Sequence, residues 1–167
     1  MLHRQSIAAI TPEEYRDAMS RYGGHVQIVT AEVDGERRGM TATAACSVSD
    51  SPPTVLVCIN HSNPKNELFF QSDAFALNTL TSRHRPLADA FSGLEMLDEE
   101  ERFARGEWDT LATGAPTLIG ARAVFDCRVL ELKPMSTHTI VFGQVVGLRL
   151  GAHDPALLYL DRRYQEI

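Results

Sequence analysis

Two stretches near the C-terminus alternate apolar and polar side chains, and this alternation constrains the fold more than any other feature of the sequence. The first stretch places small or apolar residues at every second position from 121 to 129, and the second runs from Thr139 to Leu150, after Pro134. A period of two is typical of β-strands that bury one face. We therefore expect two long antiparallel strands here and a chain that is mainly β.

Shorter signals along the rest of the chain predict further strands and a few short helices. The predicted elements are helices over residues 11–22, 64–72 and 86–91, a hairpin that turns at 34–35, and strands over 54–60 and 75–80. Residues 94–113 are predicted to form a short helix and an excursion over the surface. Six or so strands with short helices favour a small closed or nearly closed β-barrel, with residues 1–167 as a single domain.

The charge balance and the apolar runs exclude several classes of partner. The chain has 16 Lys and Arg against 22 Asp and Glu, a formal charge of -6, which argues against nucleic acid or an anionic membrane as an electrostatic partner. The longest apolar run, residues 55–59, is far shorter than the roughly 20 residues that span a bilayer. The first ten residues lack the apolar region of a secretory leader, so the cytoplasm is the expected location.

The cysteines, histidines and missing motifs argue against several common chemistries. Cys46, Cys58 and Cys127 are widely spaced and are predicted to be buried free thiols rather than redox or metal-binding groups. The six histidines never fall two or four residues apart, so no metal site is expected. The sequence also has no GxGxxG, GxxxxGK[ST], GxSxG or HExxH motif.

Two neighbouring segments could hold the two ends of a nucleotide-like ligand. Residues 41–49 are nearly all small, which suits a flat ligand lying against the backbone, although a crowded sheet or subunit contact would select the same residues. Residues 62–66 then stand where a strand meets a helix, and their N–H groups, the Ser62 hydroxyl and Lys65 could bind a phosphate. Plain helix capping is the alternative for this second segment.

Several blocks in the same order resemble the short-chain flavin reductases, the small reductase components of two-component flavin monooxygenases. The likeness extends from Tyr15 to Tyr164 and is carried by TATAACSVSDSPPTVLVCIN, FALNTL, LADAFSG, ERFARGEWDTLATGAP, FDCRV and STHTIVFGQVVGL. The opening YRDAMSRYGGHVQIVT and the closing LLYLDRRY are most similar to a branch that includes a flavin-dependent corrinoid reductase, which acts on cob(II)yrinic acid a,c-diamide.

The resemblance implies a mainly β fold with short helices, a Greek-key split β-barrel that binds FMN at a homodimer interface. It implies hydride transfer from NADH to FMN, with FAD as a possible flavin and a flavin-dependent monooxygenase as a possible recipient of the reduced flavin. It places the flavin ring and ribityl chain along Met40, Thr41, Ala42, Thr43, Cys46, Ser47 and Val48. It places the phosphate end near Asn60, His61, Ser62 and Asn66, with Ser82 and His84 as a second phosphate-side segment.

The same resemblance gives His138 the catalytic position, beside the nicotinamide, and allows Tyr164 to close over the flavin. A hydrogen-bonded turn histidine and a packing aromatic are the respective alternatives. Phe103, Arg105 and Trp108 could border the path of the nicotinamide nucleotide, or simply pack at the surface. For the whole chain, a reductase that keeps FMN and acts on a corrinoid, a non-catalytic flavin- or haem-binding module and a plain interaction domain stay open as alternatives.

Overall fold

The computed structural model describes residues 8–167, which form a mainly β protein with short helices. The strands are β1 (Gly24–His25), β2 (Gln27–Val33), β3 (Glu36–Ala42), β4 (Ala45–Asp50), β5 (Pro53–Asn60), β6 (Ala74–Thr79), β7 (Trp108–Thr110), β8 (Pro116–Leu118), β9 (Ala123–Pro134), β10 (His138–Leu150), β11 (Leu157–Leu160) and β12 (Arg163–Glu166). The α-helices are α1 (Pro12–Ser20), α2 (Glu67–Gln71), α3 (Arg85–Ser92) and α4 (Glu99–Phe103), and short 3-10 helices cover Pro64–Asn66 and Ser82–His84.

Among residues 8–167, no helix is long and apolar enough to cross a membrane. The prediction that no secretory leader is present rests partly on residues 1–7, which lie outside the described residues.

Seven strands form one antiparallel sheet in the order β3-β2-β6-β9-β10-β5-β4. Its two edge strands, β3 and β4, follow each other in the chain, but they do not pair. The sheet is therefore not closed, so of the closed and nearly closed barrels that the sequence allows, the fully closed one is wrong. A three-stranded sheet, β1-β11-β12, the β7-β8 pair and an isolated bridge between Thr81 and Ala156 complete the β-structure of the described residues.

The two predicted long strands are confirmed as β9 and β10, which pair antiparallel from Thr139 opposite Pro134 to Leu150 opposite Ala123. Two register shifts, at Gly143 and before Gly147, interrupt the ladder. Gly143 is required by close packing, because a Cβ there would lie 2.5 Å from the Phe75 ring. Glycine thus allows β10 to cross the core at a distance that no other residue permits.

The buried side chains form two clusters, one on each face of the sheet at β2. Members of the first cluster include Val29, Val57, Ile59, Phe69, Phe75 and Val141. Members of the second include Val26, Ile28, Phe91, Phe103, Leu118 and Leu157, with Trp108 packed against them. Phe103 is only 2% exposed and its ring lies 4.9 Å from that of Trp108, so surface packing is wrong for Phe103. The 94–113 excursion carries part of the core.

The prediction of three buried thiols is correct only for Cys127, although all three cysteines are free. Burial, and then the Asp126 carboxylate, raise the pKa of the Cys127 thiol to about 12. Cys58 is partly buried and Cys46 is exposed. The reason is that Cys46 lies on β4, an edge strand that the rest of the described chain covers on one side only.

Candidate functional site

An open cavity of about 510 Å³ lies beside the end of β3. Residues 41–43 line it, together with Tyr159 and Tyr164. The remaining lining residues are Val26, Arg85, Ser92, Leu94, Arg162 and Arg163. Four predicted flavin-contacting residues, Thr41, Ala42, Thr43 and Tyr164, therefore meet at one cavity.

The polar groups of these residues are partly committed to the protein. The Thr41 hydroxyl donates a hydrogen bond to the carbonyl of Ala88 at 2.6 Å, which holds the end of β3 against α3. Burial, followed by the charge of Asp89 and a hydrogen bond with it, raises the pKa of the Tyr164 phenol to about 12. Tyr164 is consequently a neutral hydroxyl at physiological pH.

A second group of predicted residues forms a hydrogen-bonded cluster where β5 ends. The Asn60 side-chain oxygen accepts bonds from the Ser62 hydroxyl at 2.7 Å and the Ser62 N–H at 3.2 Å. The Asn66 amide donates to the Asn60 carbonyl at 3.0 Å. His61 Nε2 lies 2.9 Å from the Thr139 hydroxyl. The cluster ties the end of β5 to the start of α2 and to β10.

His138 lies beside this cluster in the sheet register, because it is the first residue of β10 and stands opposite Asn60. Its Nδ1 is 2.8 Å from the Thr137 hydroxyl, and the residue is exposed. The other ring nitrogen, Nε2, has no hydrogen-bond partner among residues 8–167. An exposed imidazole with one nitrogen held and the other free can orient a ligand.

A buried ion pair lies behind the cluster. Arg38 is only 3% exposed, donates to the Asn66 side-chain oxygen at 2.7 and 3.0 Å, and forms an ion pair with Glu99. Glu99 also accepts from Arg102 at 3.2 Å and from the Gly39 N–H at 3.1 Å. Burial lowers the pKa of the Arg38 guanidinium, and the Glu99 carboxylate opposes that effect. The pair fastens α4 to β3 and to the cluster.

The other predicted flavin residues on β3 and β4 lie elsewhere. Met40 packs in the first core cluster. Cys46 and Ser47 line a separate cavity of about 330 Å³ together with Phe125 and Leu148. Val48 does not line this cavity and is 48% exposed.

Ser82 and His84 do not line the 510 Å³ cavity. His84 Nδ1 accepts from the Thr81 N–H at 3.2 Å, so its ring turns back to cap the 3-10 helix. Burial and the nearby Arg83 lower the pKa of His84, against the opposing effect of Asp154. Arg85, the next residue, is the one that reaches the cavity.

Sequence reasoning missed five charged residues around these groups, namely Arg38, Arg85, Glu99, Arg162 and Arg163. The RHR and DRRY segments were visible in the sequence, but which of their arginines share a cavity depends on helix α3 and the β11-β12 turn. Nothing in the local pattern marks Arg38 as buried, because it lies in a strand among charged neighbours.

The cavity beside β3 fits a flavin nucleotide in size and chemistry. Its volume lies within the usual range for small-molecule sites, and small residues leave room beside the strand for a flat ring. Its walls carry three arginines, which suit a phosphate. Fold and cavity together give a mainly β protein with an open, arginine-lined cavity of the size of a nucleotide site.

The chain belongs to the family described as flavin reductase like domain, whose model matches residues 19–167. It is 46% identical over 159 residues to an FMN reductase (NADH) RutF of Ancylobacter novellus, covering 95% of this chain and 87% of the relative. The predicted family is confirmed. The relative's name includes the flavin, the nicotinamide cofactor and the reaction that the sequence predicts for this chain.

Two solved structures share the fold. The NADH:FAD oxidoreductase SgcE6 of Streptomyces globisporus, solved with NAD and FAD fragments, superposes with a TM-score of 0.84 at 25% identity, covering 96% of this chain and 97% of that one. The styrene monooxygenase flavin reductase of Pseudomonas putida S12 gives a TM-score of 0.80 at 27% identity, with 92% and 96% covered.

Proposed function

We propose that this chain is an NADH-dependent FMN reductase whose reduced flavin passes to a separate acceptor. The proposal rests on the cavity beside β3, which is large enough for a nucleotide and is lined by small residues, tyrosines and arginines. The likeness to an FMN reductase (NADH) over 95% of the chain supports the same activity. The likeness to the styrene monooxygenase reductase supports an oxygenase component as the acceptor.

In this reaction the side chains at the cavity bind and orient the reactants and are not required to transfer protons. Bound FMN supplies the ring that accepts a hydride, a reaction that needs little acid–base assistance from side chains. Residues 41–43 leave space for a flat ring, and the neutral Tyr164 hydroxyl borders the same space. His138, with Nε2 free, orients the nicotinamide and does not carry the hydride.

Whether the reduced flavin leaves can be tested directly. FMN-loaded protein is reduced anaerobically with NADH and passed through an ultrafiltration membrane. We expect most of the reduced flavin in the filtrate, since the cavity is open to solvent. Retention of the reduced flavin on the protein would contradict transfer by release and favour a reductase that acts in place, for example on a corrinoid.

We further propose a Greek-key split barrel that is completed by a second copy of the chain. Among residues 8–167, the part of β10 beyond Gln144 pairs only with β9, so one backbone edge is open. Val146, Leu148 and Leu150 on this segment are 40%, 60% and 83% exposed, and alternation puts them on one face. An open edge beside exposed apolar residues favours association. Leu148 also lines the cavity of Cys46 and Ser47, which supports a second predicted flavin segment beside the proposed interface.

Light scattering checks the dimer. We expect a mass of about twice the 18.5 kDa of the chain, and a mass of 18.5 kDa at assay concentrations would contradict the proposal.

The exposed free thiol of Cys46 suits a reducing compartment, so we propose the cytoplasm as the location.

A further inference from the structure

The cavity beside β3 is positively charged in a chain of negative net charge. The formal charge of the chain is -6, yet Arg85, Arg162 and Arg163 all line this one cavity. Among residues 8–167, no Asp or Glu lines it. The Asp89 carboxylate acts on the Tyr164 phenol but is not part of the lining. The local charge therefore opposes the charge of the whole molecule.

The fold fixes two of these arginines through a tight turn between β11 and β12. Asp161 and Arg162 occupy the turn with φ of 52° and 58°, the left-handed conformation that two-residue hairpin turns require and that non-glycine residues seldom adopt. The Asp161 N–H donates to the Ser20 carbonyl at 2.7 Å, and Arg162 lies 3.2 Å from Asp17. Helix α1 thus holds the turn that presents Arg162 and Arg163 to the cavity.

The third arginine comes from the start of α3. The guanidinium carbon of Arg85 lies 5.4 Å from the centroid of the Tyr164 ring, a cation–π distance that keeps the side chain at the cavity wall. Within residues 8–167, neither Arg85 nor Arg163 forms an ion pair with a carboxylate. Their N–H donors are available to a ligand.

We propose that Arg85, Arg162 and Arg163 form a phosphate-binding subsite for a nucleotide seated against residues 41–43. Guanidinium groups bind phosphate oxygens through paired hydrogen bonds. Asp17 pairs with Arg162, so Arg85 and Arg163 are the two cations of the cavity without a carboxylate partner among residues 8–167. The inference rests on the proposed function, which brings two phosphate-bearing molecules to this protein. It differs from the resemblance, which puts the phosphate end near Asn60 and Asn66.

Binding measurements with phosphate-bearing and phosphate-free ligands test the subsite. Calorimetry compares the parent protein with Arg163→Gln, titrating FMN and riboflavin, and then NAD+ and nicotinamide riboside onto the FMN-loaded protein. We expect about tenfold weaker binding of one phosphate-bearing ligand, since a charged hydrogen bond contributes about this factor. Its phosphate-free counterpart should bind as before. The double variant Arg85→Gln/Arg163→Gln should lose more.

The two ligand pairs distinguish the source of the phosphate. A selective loss for FMN over riboflavin assigns the subsite to the flavin, and a selective loss for NAD+ over nicotinamide riboside assigns it to the dinucleotide. Equal losses for both members of a pair, or no loss for either pair, would overturn the proposal. Arg128→Gln, which removes an exposed arginine of β9 outside the cavity, is the matched control and should bind all four ligands normally. Because no turnover is measured, failure of the reductase activity would be a separate result.

Discussion

The His138→Ala variant is expected to reduce flavin with NADH about 10- to 100-fold more slowly than the parent protein, with FMN affinity unchanged. The ring stands at the start of β10 opposite Asn60, with Nδ1 beside the Thr137 hydroxyl and Nε2 free. Losing one orienting hydrogen bond costs about tenfold, and a misplaced reactant costs about a hundredfold. The measurements are the anaerobic reduction rate at several NADH concentrations and the FMN dissociation constant.

A matched histidine elsewhere separates the role of His138 from a general effect of losing an imidazole. His153 is exposed in the loop between β10 and β11, and His153→Ala should leave both quantities within twofold of the parent. Unchanged reduction kinetics in His138→Ala would remove His138 from the site. A parallel loss of FMN binding would instead give it a structural role in the cluster at the end of β5.

The Glu99→Ala variant is expected to lower the free energy of unfolding by about 3 kcal/mol, because it leaves the Arg38 guanidinium buried without its counter-ion. The Arg38 side chain is 4% exposed and that of Glu99 is 21% exposed, so solvent replaces the lost carboxylate poorly. The same carboxylate accepts from Arg102 and from the Gly39 N–H. Denaturant unfolding followed by fluorescence of Trp108, the single tryptophan, measures the change.

The adjacent residue supplies the control for this variant. Glu100 is exposed on the same short helix and forms no ion pair within residues 8–167, so Glu100→Ala should change the stability by less than about 0.5 kcal/mol. If Glu99→Ala were no less stable than Glu100→Ala, the Arg38 pair would not hold α4 to β3.

The long strands were predictable because each carries its own evidence. Alternation over a dozen residues identifies β9 and β10, although the buried residues lie in the first half of each strand. Strands β1, β11 and β12 have two to four residues, too few to show a period. The opening between β3 and β4 depends on pairing between distant strands, which no local pattern reports.

The candidate site also contains residues that the local sequence predicts and residues that it does not. Residues 41–43 stand out by their small size, and they do line a cavity. The relevant basic residue of the RHR segment was not predictable, because the 3-10 helix turns His84 back to Thr81 and leaves Arg85 at the cavity. The position of Arg163 was not predictable either, because it follows from a left-handed turn at Asp161 and Arg162. Non-glycine residues rarely adopt this conformation, so the sequence did not indicate the turn.

Anaerobic stopped-flow absorbance tests the proposed reduction of FMN by NADH. The purified protein is loaded with FMN and mixed with NADH, and the oxidised flavin band near about 450 nm is followed in time. We expect the band to bleach at a rate that rises with NADH concentration and is no slower than steady-state turnover. A flavin that binds but stays oxidised in excess NADH would contradict the proposed reductase activity and leave a flavin-binding module.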